Sequence, residues 1–144
     1  GMDFGIDFPE LIVMETGGMK GRRKEIIRKE LHAQIQSIFS VEHIHSEYSM
    51  TELMSQAYSQ KEGFYQNPPW MKILIRDIND PFNIIKAEQA GGINIIDFAN
   101  IYSCPFIATD DIGIMHSNGF FEVLGRLDAS DARGCNIMLT DIDK

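Results

Sequence analysis

Cysteine is scarce: Cys104 and Cys135 are the only two in 144 residues, too few for a disulfide scaffold. No apolar run approaches the ~18 residues of a membrane-spanning helix, and no stretch reads as a secretory signal, so the expected setting is a reducing cytoplasm. Surplus positive charge is missing too. Thirteen Lys and Arg against 21 Asp and Glu give a net charge of −8, which excludes a general nucleic-acid binder with an electropositive face. There is no Walker-type GxxxxGK[ST] loop and no GxGxxG fingerprint. The acidic stretches SDARGC and TDIDK lack the spacing of a calcium loop.

What is present is a chain that can bury a core. Hydrophobic residues make up 44%, and a domain of this size covers roughly two thirds of its unfolded surface. Leu11–Glu15 (LIVME) is an apolar run stopped by TGG and predicts a buried strand. Between Gly21 and Phe39, Ile27, Leu31, Ile35 and Ile38 recur at helical spacing, and Val41–His45 predicts a second strand. Strand, helix, strand implies a parallel α/β unit. From Trp70 the pattern becomes MKILIRD, GINIIDF, CPFIAT and FFEVLG, cut by NDP, GG and SNG. Ser117-Asn118-Gly119 predicts a hairpin through the positive φ angles that Asn-Gly supplies. The fold class expected is therefore α/β, with a parallel unit over residues 1–66 and a mainly antiparallel β subdomain over 67–144.

Chemistry concentrates in Ser46–Ser59, SEYSMTELMSQAYS, which follows the second strand of the parallel unit. Ligands in open α/β sheets bind off the carboxyl ends of strands. Tyr48 could stack on a base there, the Thr51 hydroxyl could meet a phosphate oxygen, and Glu52 could hold Mg²⁺, which prefers carboxylate and phosphate oxygens. The bland alternative is a helix starting near Met50, capped by Ser49 or Thr51. His43, His45 and Glu47 alternate and would share one strand face, as a minimal zinc set or as ordinary packing. Six of the thirteen cations fall between Lys20 and Lys29. Lys20, Arg22, Arg23 and Lys24 either meet an anion or form a solvated face with a Glu25–Lys29 pair. Cys104, in YSCPF, reads as a small buried residue. Cys135, in RGCN, is either that or a nucleophile whose thiolate Arg133 would favour.

YSMTE resembles the YGxTE signature of adenylate-forming enzymes, the acyl-CoA synthetases, luciferases and acyl-protein synthetases. TDDIG, a hairpin and GRLD follow in the order of that family's TGD…GRxD blocks. ETGGMKG, SEYSMTELMSQAYS, PPWMKILIRD and FEVLGRLDASDARGCN together resemble the LuxE-like acyl-protein synthetase branch, from about Leu11 to Met138.

That resemblance implies roles. Tyr48 would stack on adenine with Gly17 and Gly18 lining the same side, Thr51 would contact the α-phosphate, and Glu52 would bind Mg²⁺. Asp111 and Arg126 would hold the ribose, Asp128 would be the hinge, and Cys135 would carry the acyl group as a thioester. The implied reaction activates a fatty or other carboxylic acid with ATP to acyl-AMP. Ser49 stands where the family has Gly, and the family's Ser/Thr/Gly/Lys loop for the β,γ-phosphates has no counterpart. The chain is therefore expected to be a carboxyl-terminal fragment. Its expected partners are an amino-terminal half or companion chain, a second copy of itself, and an acyl reductase. The alternative is a non-catalytic nucleotide-binding or assembly module that has kept the fold.

Overall fold

A computed structural model describes residues 10–16 and 28–127. Strands β1 (Met14–Glu15) and β2 (His45–Tyr48) run parallel, Met14 opposite His45 and Glu15 opposite Ser46. Helix α1 (Arg28–Phe39) lies in the connection between them, as a parallel pair requires, since no tight turn can join one. The elements are shorter and less covered than the apolar runs predict. Leu11, Ile12 and Met14 are 41%, 65% and 41% exposed, and β1 is an edge strand with β2 its one neighbour among the described residues. In α1, Leu31 and Ile35 are half-buried while Ile38 and Phe39 are exposed, so the stripe is uncovered at its carboxyl end. Ser40 ends the helix with φ 55° and donates its N–H to the Gln36 carbonyl at 2.8 Å, a left-handed cap. The β2 ladder then starts at His45, not Val41, where the His45 N–H reaches the Val13 carbonyl at 2.9 Å.

The remaining strands are β3 (Ala57–Ser59), β4 (Tyr65–Gln66), β5 (Met71–Arg76), β6 (Ala90–Asp97), β7 (Phe106–Met115) and β8 (Phe121–Arg126). All their pairings are antiparallel. The FIAT of CPFIAT continues through DDIGIM as the single long strand β7. The β7–β8 hairpin forms where SNG predicts it, but by a different turn. The His116 carbonyl accepts from Gly119 N–H at 3.0 Å, and only Gly119 there has positive φ, 87°. This is a turn closed by one left-handed glycine rather than a two-residue Asn-Gly loop.

The eight strands form one sheet in the order β1-β2-β3-β4-β8-β7-β6-β5. Tyr65 opposite Phe121 is the pair that joins β4 to β8. The sheet is strongly curled: β2 and β7 are four strand steps apart, about 19 Å if flat, yet side chains of Tyr48 and Asp111 touch. Its concave face holds the core. Met71, Ile73 and Ile75 of β5, Ile93 and Ile95 of β6, and Tyr48, Leu53, Ala57, Tyr65 and Phe121 are all buried there. Among the described residues no helix is long and apolar enough to cross a membrane.

Candidate functional site

The curl brings β2 against β7. The Tyr48 hydroxyl donates to Asp111 Oδ2 at 2.8 Å across 63 positions of chain. Tyr48, which sequence alone offers as an open stacking face, is enclosed: it is 8% exposed, with Tyr65 and Phe121 at ring-centroid distances of 6.0 and 5.7 Å. Burial pushes its phenol above the ordinary range, and the negative charge of Asp111 pushes it further, so Tyr48 stays a donor at any ordinary pH. Thr109 steadies the acid from behind. Its hydroxyl donates to the Ile93 carbonyl at 3.0 Å and accepts the Asp111 N–H at 3.1 Å. Arg76 ties the same region to β5, its guanidinium donating to the carbonyls of Ile93 at 3.0 Å and Thr109 at 2.7 Å and to Asn94 Oδ1 at 2.8 Å. Arg126 stands opposite Asp111 in the ladder, but its guanidinium is solvated and lies 3.5 Å from Asp110.

Thr51 and Glu52 occupy a turn, with Leu53 N–H donating to the Met50 carbonyl at 3.1 Å, and both residues are exposed. No helix starts at Met50. The N–H groups of Met54 and Ser55, which a helix would use, go instead to Asp97 Oδ2 at 3.1 and 3.0 Å. Asp97 also accepts from Ser55 Oγ at 2.7 Å and Ala99 N–H at 3.1 Å through Oδ1. It is fully buried. Asn100, also buried, donates to the carbonyls of Glu52 at 2.7 Å and Cys104 at 3.0 Å. Neither residue stands out by type, yet a signal exists: in INIID, period 2 puts Asp97 on the inward face with Ile93 and Ile95. Ser49, at the family's glycine position, has no positive φ and bonds Glu47 at 2.6 Å, so serine is unstrained there.

Gly17, Gly18, Asp128 and Cys135 lie outside the described residues, as do Lys20 to Lys24. Among the described residues no three His, Cys, Asp or Glu side chains could hold a metal ion. His43 precedes β2 and sits 3.6 Å from Glu42. Cys104 is exposed rather than buried, because it lies in the surface connection just before β7, which begins at Phe106. A cluster with no sequence warning lies at the hairpin tip. Both ring nitrogens of His116 are 2.7 Å from carboxylates, Glu88 and Glu122, and Glu88 also accepts from Ser117 N–H and Oγ at 2.7 and 2.8 Å. A groove of about 990 Å³, lined by Tyr58, Phe64, Trp70 and Phe120 among others, is separate from the Tyr48–Asp111 contact.

The profile of the acyl-protein synthetase family LuxE matches residues 2–142. The chain belongs to the LuxE acyl-protein synthetase family. Solved structures of similar fold include the luciferase-like enzyme of the nonluminescent Zophobas morio mealworm (TM-score 0.56, 16% identity, 81% of this chain and 31% of that one). A benzoate CoA ligase from Burkholderia xenovorans LB400 (0.54, 19%, 83% and 26%) and apo MatB from Rhodopseudomonas palustris (0.54, 16%, 80% and 25%) are alike as well. This LuxE-family chain thus has part of the fold of adenylate-forming enzymes, and it spans a quarter to a third of the length of these neighbours. No curated protein matches it.

Proposed function

We propose that this chain forms the nucleotide side of an acyl-protein synthetase, which joins a fatty or other carboxylic acid to ATP and passes the acyl group to Cys135. The observation that carries the reading is the Tyr48–Asp111 hydrogen bond. It unites the two blocks, YSMTE and TDDIG, in which the family resemblance places nucleotide contacts. The donor set fits a nucleotide. With Oδ2 taken by Tyr48, Asp111 keeps Oδ1 without a partner among the described residues, as acceptor for a ribose hydroxyl. Arg126, opposite in the ladder, reaches the same ribose if it exchanges the solvated Asp110 for it. Tyr48 serves through its hydroxyl, fixing the Asp111 carboxylate, with adenine resting against Gly17-Gly18.

Thr51 offers a hydroxyl to the α-phosphate, and Glu52, an exposed residue, supplies the carboxylate for Mg²⁺. Bound there, Mg²⁺ neutralises phosphate charge beside an acidic protein. In the reaction, a carboxylate oxygen of the acid forms a bond to the α-phosphorus and pyrophosphate leaves. The Cys135 thiolate then attacks the acyl carbonyl, forming the thioester and releasing AMP. The role of this chain is to position and neutralise. The β,γ-phosphate loop, and with it full activity, belongs to an amino-terminal half or companion chain, and an acyl reductase takes the product onward.

Calorimetric titration with AMP and MgATP tests this. Both are expected to bind, with Asp111→Asn weakening both by about tenfold or more, a loss near 1.4 kcal/mol, and Glu52→Gln weakening mainly MgATP. Absence of binding at millimolar nucleotide favours the alternative, an assembly module that keeps the fold without the chemistry.

A further inference from the structure

Asp97 is the one fully buried carboxylate among the described residues, and no Lys or Arg lies within salt-bridge distance of it there. Four donors surround it instead: the N–H groups of Met54, Ser55 and Ala99 and the Ser55 hydroxyl. A buried charge without a counter-ion is costly unless such donors meet it, and three of the four belong to the segment just after Thr51-Glu52. Asn100, three residues on, grips the Glu52 carbonyl itself. Trp70 completes the arrangement, its indole N–H donating to Ser55 Oγ at 2.9 Å.

Leu53 pins the turn to the core with Met50 packed beside it, but its two outer residues have no such hold. Thr51 and Glu52 are exposed, and only Leu53 among the turn residues is buried. We infer that Asp97, assisted by Asn100, is a positioning residue for Thr51 and Glu52: it fixes the turn that offers the phosphate and Mg²⁺ contacts, without touching either ligand. The inference rests on the nucleotide reading above. Chemically, the role demands an acceptor at both carboxyl oxygens. Asparagine has the same shape but presents an NH₂ group to two of the four donors, so those bonds are lost and donor faces donor.

The distinguishing feature of a positioning role is that it depends on the groups positioned. Adenosine needs only the Asp111 region, whereas AMP adds the Thr51 contact and MgATP adds Glu52. Dissociation constants for adenosine, AMP and MgATP are therefore measured on the full chain and on Asp97→Asn, Asn100→Ala and Ser55→Ala. Each comparison is repeated in a Thr51→Ala/Glu52→Gln background. The expected result for Asp97→Asn is adenosine affinity within about threefold of wild type and MgATP affinity lowered about tenfold or more, with that loss vanishing in the double-variant background. Asn100→Ala and Ser55→Ala give the same pattern more weakly, and they carry the test if Asp97→Asn does not fold. Equal losses for adenosine and MgATP, or a loss that persists without Thr51 and Glu52, overturn the positioning role while leaving the nucleotide reading intact. A wild-type chain that binds none of the three nucleotides overturns both.

Discussion

Tyr48 shows what one atom does here. Its ring contributes to the core beside Tyr65 and Phe121, while its hydroxyl contributes a charge-assisted bond to Asp111. Tyr48→Phe separates the two roles. It should lower the unfolding free energy in urea by about 1–2 kcal/mol, as loss of a bond to a charged acceptor does. Tyr48→Ala should cost about 3–5 kcal/mol, because it also opens a cavity. If Tyr48→Phe matched wild type, the bond to Asp111 would not be contributing in solution. The chemical type of Tyr48, Thr51, Glu52 and Asp111 is legible in the sequence. The inward turn of the Tyr48 ring is not, because it depends on Phe121, 73 positions away in the chain.

At the scale of elements, close approach between strands decides which glycines tolerate change. A Cβ on Gly91 would meet the Arg76 carbonyl and the side chains of Ile75 and Ile85, whereas one on Gly125 would meet nothing within 4 Å. Gly91→Ala should therefore destabilise by about 1–3 kcal/mol, and Gly125→Ala should stay within about 0.5 kcal/mol of wild type, both read by urea denaturation. The β7–β8 hairpin carries a pH dependence. The Ser117 N–H, then His116 and the Ser117 hydroxyl, hold the Glu88 carboxyl down to about 2 from its usual 4.5. Burial draws His116 downward, but its hydrogen bonds to Glu88 and Glu122 outweigh that, and the ring holds its proton above its usual 6.5. The Glu88 contribution is present above 4.5 and lost as pH falls toward 2; that of His116 is present below 6.5 and lost as pH rises through its raised value. The melting-temperature difference between wild type and His116→Gln should thus be largest between pH 4.5 and 6.5 and shrink above it. A difference that grew toward pH 9 would contradict the clamp. Strands β5 to β8 are readable in advance because period-2 alternation is a local property. TELMSQAYS misleads because its local pattern allows a helix, and Asp97, 42 positions beyond Ser55, captures the N–H groups that a helix would need.

For the whole molecule, the curl of the sheet is the feature that brings Tyr48 to Asp111. A flat sheet with the same strands would leave Tyr48 and Asp111 far apart, and the strap from Met50 to Ser55 would have no Asp97 to dock on. The curl is also the least legible property of the sequence. It turns on Tyr65 meeting Phe121, a long-range pair without a local signal. The family resemblance, carried by short blocks in order, reaches the fold and leaves the chemistry to be tested. The most direct test is a ¹⁵N–¹H shift map of the full chain titrated with AMP. Binding at the proposed site predicts the largest shifts at Tyr48, Thr51, Asp111 and their neighbours, with the far end of the β7–β8 hairpin around Asn118 unmoved. Shifts centred instead on Tyr58, Phe64 and Trp70, or none at all, would contradict it.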